Sequence, residues 1–306
     1  MTRALREHWP EYLIEAALLG MFMVSAATLA TLLAPPPPPA PAAAPVLATP
    51  PAAAPAPASR LLLAPRPLPA PLAGARGALG ALGGALPGPL GRRTLMGAGM
   101  GLTAIALIYS PWGRRSGGHM NPAVTLTFFR LGKVAGWDAL FYVLAQVAGG
   151  VAGVLLAGLW LGAAFSAPPV RCIVTAPGRG GPAVAFWAEL GISCLLMGTV
   201  LAVSNSRHAR WTGLCAGLLV ALYITFEAPL SGMSMNPARS FASALAAGSW
   251  QGFWVYLAAP PLGMLLAAAL YLAARGRAAV RCAKLHHGAG GRCIFRCGYR
   301  AAAEGT

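Results

Sequence analysis

Apolar residues gather into six runs along the chain, at about residues 12–33, 94–112, 137–165, 182–204, 211–229 and 250–274. A helix needs roughly 20 apolar residues to cross about 30 Å of hydrocarbon, so the pattern predicts an all-α membrane protein with six transmembrane helices. Arg3 and Arg6 precede the first run, and SAATLA within it resembles a small-residue cleavage site. The length of that run and the embedded Glu15 argue for a retained span instead of a signal peptide.

Two shorter apolar runs break the pattern: SGGHMNPAVTLTFF from Ser116 and SGMSMNPARSFASAL from Ser231. In each, the asparagine (Asn121, Asn236) is a good helix N-cap, and the proline (Pro122, Pro237) fits the first turn, where its missing N–H is not needed. Ala123 and Ala238 lead into the helical run, and Gly132 and Gly248 stand where a C-terminal glycine cap is expected. Each repeat is thus a helix of about 12 residues, roughly 18 Å, which is only about half a membrane. The first follows span two and the second follows span five, so they enter from opposite sides, and the two halves of the chain form an inverted repeat.

Half-helices dipping in from opposite faces meet near the midplane with their N-termini together. Irregular backbone at that depth is tolerated only where it lines a polar cavity, so the repeat predicts a pore or a transport site. Two helix N-termini place positive dipole ends there, and the Asn121 and Asn236 amides offer N–H donors to a passing oxygen. A neutral hydroxylic solute is welcomed at such a junction; a cation or hydronium is repelled. Arg239 adds a full positive charge three residues after Asn236. An arginine in a membrane segment costs roughly 2.5–3.5 kcal/mol on insertion scales, so it faces water or snorkels to a helix end.

Composition supports this class: the chain has 306 residues, 57% hydrophobic and only 10% charged, which excludes an ordinary water-soluble globule. The net charge of +16 is spread between the apolar runs and into the tail, which reads as topology charge and not as a nucleic-acid face. Arg3, Arg6, Arg114, Arg115, Arg130, Lys133, Arg207, Arg210 and the basic residues from Arg275 onward share one side, so both termini are expected to be cytoplasmic. Residues 35–93, beginning PPPPPAPAAAP, have too little patterned apolar surface to fold and are expected to form an extended or disordered external loop. Glycines at four-residue spacing (97/101, 149/153, 158/162, 213/217) mark close helix approaches. Heavy use of Ala, Pro, Gly and Arg with almost no Lys suggests a GC-rich bacterial genome, and with it the bacterial inner membrane.

The paired NPA stretches among six spans resemble the aquaporin, or major intrinsic protein, family from about Pro10 to Ala274, apart from the proline-rich segment. The resemblance implies a homotetramer in a lipid bilayer in which each subunit carries its own pore and needs no cofactor. It implies that Asn121 and Asn236 are the central asparagines and that Arg239 belongs to an outer constriction with Met100, Ile224 and Met233. Water-selective members usually place an aromatic residue and a histidine beside the arginine, and glycerol facilitators use aromatics with a glycine. Met, Ile and Met depart from both patterns. Ser240 and Ala244 match the water channels, whereas Leu257 stands where they tend to have Trp. The reading is water first and glycerol or other small neutral solutes second.

Glu15 and Glu189 occupy corresponding places in the two halves. In the resembling family the equivalent glutamates brace the loop carbonyls before the half-helices; the alternative is a proton relay. His119 has a counterpart on the cytoplasmic side of the pore and is either a titrating gate or a packing residue.

Residues 275–306 form a basic tail after the channel domain of residues 1–274. The tail holds Cys282, His286, His287, Cys293 and Cys297 as C-x3-H-H and C-x3-C, and Cys282, His286, Cys293 and Cys297 are the expected ligands, soft donors suited to Zn²⁺ or an iron–sulfur cluster. The alternative is a basic, lipid-facing tail without a metal. The six cysteines imply no extracellular disulfide framework. No nucleophile, base and orienter grouping points to an enzyme. An ion-coupled transporter and a membrane-anchored metal or redox sensor are the competing classes.

Overall fold

The computed structural model describes residues 1–35, 68–85, 88–287 and 292–299. Its helices are α1 (Thr2–Leu33), α2 (Ala70–Ala85), α3 (Gly88–Tyr109), α4 (Pro111–Ser116), α5 (Pro122–Arg130), α6 (Gly136–Leu161), α7 (Ala163–Ser166), α8 (Gly181–Ser204), α9 (Thr212–Phe226), α10 (Ala228–Ser231), α11 (Pro237–Ala247) and α12 (Phe253–Arg275).

Among the described residues, five segments are long and apolar enough to cross a membrane: Thr2–Leu33, Gly136–Leu161, Gly181–Ser204, Ala209–Phe226 and Phe253–Arg275. The expected second span is also a single helix, α3, of 22 residues. Arg92 and Arg93 sit near its start and shorten its uncharged stretch. Several boundaries differ from the apolar runs. Helix α1 begins at Thr2, ahead of its apolar stretch, and an Arg3–Glu7 pair one turn apart (3.1 Å) supports the polar extension. The third run is divided at Gly162, whose φ of 58° ends α6 before the short α7.

The expectation of an unfolded segment over 35–93 is corrected at its C-terminal end. Ala70–Ala85 is helical, and α3 starts at Gly88. After Pro71 the sequence carries no proline through Ala85, so no ring interrupts the helix, and its six alanines, the best helix formers, offset five glycines. Residues 36–67, where the prolines concentrate, lie outside the described residues.

The packing repeats across the two halves. Helix α1 lies along α6 as α8 lies along α12, and α3 pairs with α9 between them. The short helices cross over: α11 packs on α6 and α5 on α12. Small residues set these distances. A Cβ added at Gly149 would stand 2.0 Å from the Ala16 carbonyl oxygen, and one at Gly153 2.4 Å from that of Gly20. Such approaches bring backbones into contact where lipid supplies no hydrophobic drive for association. Large apolar side chains such as Leu102, Trp187, Leu195 and Phe226 remain exposed on the outside, as a lipid-solvated exterior requires.

Candidate functional site

The N-termini of α5 and α11 face one another across the centre of the bundle. Asn121 caps α5 by accepting at Oδ1 from the Ala123 N–H (2.8 Å). Asn236 caps α11 by accepting from Ala238 (3.1 Å) and Arg239 (3.2 Å). The remaining end of each amide reaches across: Asn121 Nδ2 donates to the Met235 carbonyl (2.7 Å), and Asn236 Nδ2 donates to the Met120 carbonyl (2.7 Å). Each amide nitrogen carries a second N–H.

The loops leading into these helices are held by buried carboxylates. Glu15 accepts from the backbone N–H of His119 (3.0 Å) and Met120 (2.7 Å), from the Ser116 hydroxyl (2.7 Å) and from Gln146 (2.9 Å). Glu189 accepts from the N–H of Ser234 (2.6 Å) and Met235 (2.7 Å) and from the Ser231 hydroxyl (2.9 Å). Tyr142 and Tyr256 donate to the carbonyls of Ser116 (2.6 Å) and Ser231 (2.5 Å). The carboxylates thus grip peptide N–H groups and not carbonyls, because an ionised carboxylate can only accept. Carbonyls are then the polar backbone groups left for the space beyond. The grip also holds a strained backbone: Met120 and Met235 have φ of 49° and 53°, in the left-handed region that unbranched L-residues rarely adopt.

Both loops open on one cavity of about 310 Å³. Its wall on α3 runs from Arg93 to Ile108, which at the helical rise is about 22 Å along the bundle axis. Met100, Ile224, Met233 and Arg239 all line it, as do Asn121, Asn236 and His119. Arg239 is held in place by its Nη1 donating to the Ile173 carbonyl (3.1 Å) and to the Thr175 hydroxyl. Thr175 also accepts from Ser240 (3.1 Å), which is 2.6 Å from Ser234.

Sequence reasoning missed Thr175 and a second cavity arginine. Arg93 donates through Nε to the Thr225 carbonyl (2.9 Å) and lines the same cavity as Arg239. Its position at the polar start of α3 looked like loop charge; only the fold turns it inward.

His119 is buried and fully engaged. Its Nε2 is 2.8 Å from the Ala283 carbonyl and so carries the proton, which leaves Nδ1 to accept from Thr125 (3.0 Å). Its ring is stacked between Phe128 (5.3 Å) and Phe295 (5.4 Å).

Ala283 and Phe295 belong to the tail, which folds back onto the bundle. The tail brings the sulfurs of Cys282, Cys293 and Cys297 together with a histidine nitrogen, all within 4.8 Å of one another. That histidine is His287, not His286 as the C-x3-H spacing suggested. His286 sits at a bend in the chain, and its ring packs on Tyr109 (4.8 Å). Burial, with Arg114 and His287 nearby, pushes the His286 imidazole below its ordinary value. The hydrogen bond from Cys282 draws the Cys293 thiol below the usual thiol range, with His287 adding to the effect. Burial lowers the Lys284 ammonium, against the pull of the three thiols.

A helical membrane bundle with one cavity passing between two facing helix N-termini is a channel-like architecture. Residues 92–271, more than half of the chain, match the Major intrinsic protein family, and the chain belongs to that family. It is 38% identical over 167 residues to a putative aquaporin, NIP4-1, of Arabidopsis thaliana, covering 54% of this chain and 57% of that protein. It is 37% identical over 170 residues to aquaporin NIP1-3 of Oryza sativa subsp. japonica (55% and 57%) and 34% identical over 170 residues to aquaporin-4 of Rattus norvegicus (55% and 52%). The chain thus matches little more than half the length of these relatives, which are plant and mammalian and not bacterial. The X-ray structure of the aquaglyceroporin from Plasmodium falciparum shares the fold, with a TM-score of 0.57 at 21% identity, over 87% of this chain and 95% of that one.

Proposed function

We propose that the protein is a passive channel that conducts water down an osmotic gradient and excludes ions and protons. The observation that carries this reading is the reciprocal pair of asparagine bonds between two helix N-termini, set midway along one cavity. The fixed donors and the two dipole ends favour an oxygen lone pair over a cation, and an N–H at the centre orients a water so that it cannot pass a proton to the next one. Arg239 and Arg93 extend the positive potential towards the opposite end from the tail. Met100, Ile224, Met233 and Arg239 are the constriction in this reading, and Glu15 and Glu189 are its braces.

A second reading, glycerol-sized neutral solutes, is favoured by the constriction itself. Its apolar members carry no hydrogen-bonding group, and two of them are methionines, whose unbranched side chains adapt to a wider guest. Both termini lie on the cytoplasmic face in this account, and the exposed apolar helix faces suit a homotetramer in the bilayer. The tail thiols and His287 suit a metal that the transport step itself does not use.

The test is stopped-flow light scattering on proteoliposomes, with and without a zinc chelator, comparing osmotic water shrinkage with glycerol re-entry. Fast shrinkage with slow re-entry supports water selectivity. Equal rates assign the channel to larger neutral solutes.

A further inference from the structure

We propose that the tail is a metal-stapled plug: one Zn²⁺ bound by Cys282, His287, Cys293 and Cys297 holds Leu285 in the cytoplasmic end of the cavity and keeps the channel closed. The inference rests on the channel reading above for its consequence and on the tail geometry for the metal site.

The donor geometry selects a single ion. Zinc–sulfur bonds of about 2.3 Å in a tetrahedron put neighbouring donors about 3.8 Å apart. Here the Cys282 and Cys293 sulfurs are 3.6 Å apart, and the Cys297 sulfur is 3.2 Å from His287 Nε2. All four donors lie within 4.8 Å of one another, too close for cysteines spread over a cluster of several irons. Three thiolates and one imidazole around Zn²⁺ leave a net charge of about −1. Lys284, two residues after Cys282, is almost fully buried at the site.

The tail has little regular structure of its own. Among the described residues after α12, regular structure amounts to the 3-10 turn Arg277–Ala279 and the helical residues Gly298 and Tyr299, yet Cys282, Ala283, Leu285, Cys293 and Phe295 are buried. A segment of that size has no core of its own and folds when an ion cross-links it. Its contacts run across one end of the bundle, from Glu11 on α1, 3.5 Å from Arg292, to Asn205 after α8, which accepts from the Arg281 N–H (2.7 Å), and several lie at the mouth of the cavity. The Leu285 N–H donates to the Gly117 carbonyl (3.1 Å), and Lys284 Nζ donates to the carbonyls of Arg114 (2.8 Å) and Arg292 (2.6 Å). The Arg296 N–H donates to the Lys133 carbonyl (3.0 Å), and Phe295 stacks on His119. With these bonds in place the Leu285 side chain lines the cavity, as Ile108 and His119 do. Binding the ion therefore favours the docked tail over a free one, and by linkage an open mouth binds the ion more weakly.

The test uses the purified full chain in proteoliposomes. Elemental analysis is expected to find about one zinc per chain, absent from Cys293→Ser. Water permeability is expected to rise several-fold on chelation, to fall again when Zn²⁺ is restored, and to be high in Cys293→Ser whatever the metal. Leu285→Ala should keep its zinc and still conduct several-fold faster than the parent, which separates the plug from the staple. Metal-free protein, or a Cys282–Cys293 disulfide in its place, overturns the site. A zinc-loaded chain whose permeability ignores chelator and Leu285→Ala overturns the plug while leaving the channel reading intact. No water flux in any of these preparations overturns the channel reading itself and, with it, the plug.

Discussion

Asn121 and Asn236 are bound to each other's loops: each amide donates 2.7 Å to the carbonyl that immediately precedes the other asparagine. Their caps and their crossing bonds are therefore one unit. Asn121→Ala and Asn236→Ala should each destabilise the detergent-solubilised protein by about 1–3 kcal/mol through the lost cap and an orphaned carbonyl. The double variant should lose less than the sum, with a coupling of about 0.5–3 kcal/mol, because each single change already breaks one side of the junction. A double-mutant cycle by reversible unfolding measures this; strict additivity would show two independent caps.

Glu189 satisfies three donors and holds Met235 at a positive φ. Glu189→Gln keeps the shape but turns an NH₂ towards backbone N–H groups that need an acceptor. A loss of about 1–3 kcal/mol is expected, with slower water flux as the loop relaxes. Glu15→Gln should behave alike at Met120. Unchanged thermal stability in both would remove the carboxylates from the account.

Arg239 is the charged member of the expected constriction and is tied down by Ile173 and Thr175. Arg239→Val removes the charge and opens space, so glycerol entry should rise several-fold and a cation leak should appear. Thr175→Val, which loosens the arginine without removing its charge and also frees Ser240, should raise glycerol entry less. Solute uptake by swelling assay distinguishes the two.

Gly149 leaves no room for a methyl group against the Ala16 carbonyl, whereas Gly191 on α8 has nothing within 4 Å of an added Cβ. Gly149→Ala should destabilise by about 1–3 kcal/mol or more by forcing α1 and α6 apart. Gly191→Ala should be neutral or stabilise by up to about 1 kcal/mol through helix propensity. Thermal unfolding of the two variants side by side checks the contrast.

What could be read in the sequence was what is local. A cap such as Asn121-Pro122 acts within its own first turn, and an apolar run announces a span by length alone, so the short helices and most long ones were legible. Contacts between distant segments were not. Nothing around Arg93 signals that it reaches Thr225, and nothing around Thr175 signals Arg239, because both relationships exist only after the helices pack. The choice between His286 and His287 turned on backbone direction, which spacing does not fix. The helix over Ala70–Ala85 was hidden by averaging it with the proline-rich stretch before it.

The most direct test of the central claim is osmotic water permeability recorded together with proton flux in the same proteoliposomes, using the parent chain after chelation and Leu285→Ala. Water shrinkage well above that of empty liposomes with no accompanying proton leak is the predicted result. Water flux no faster than in empty liposomes, or flux accompanied by proton entry, would contradict a channel whose centre is the Asn121–Asn236 junction.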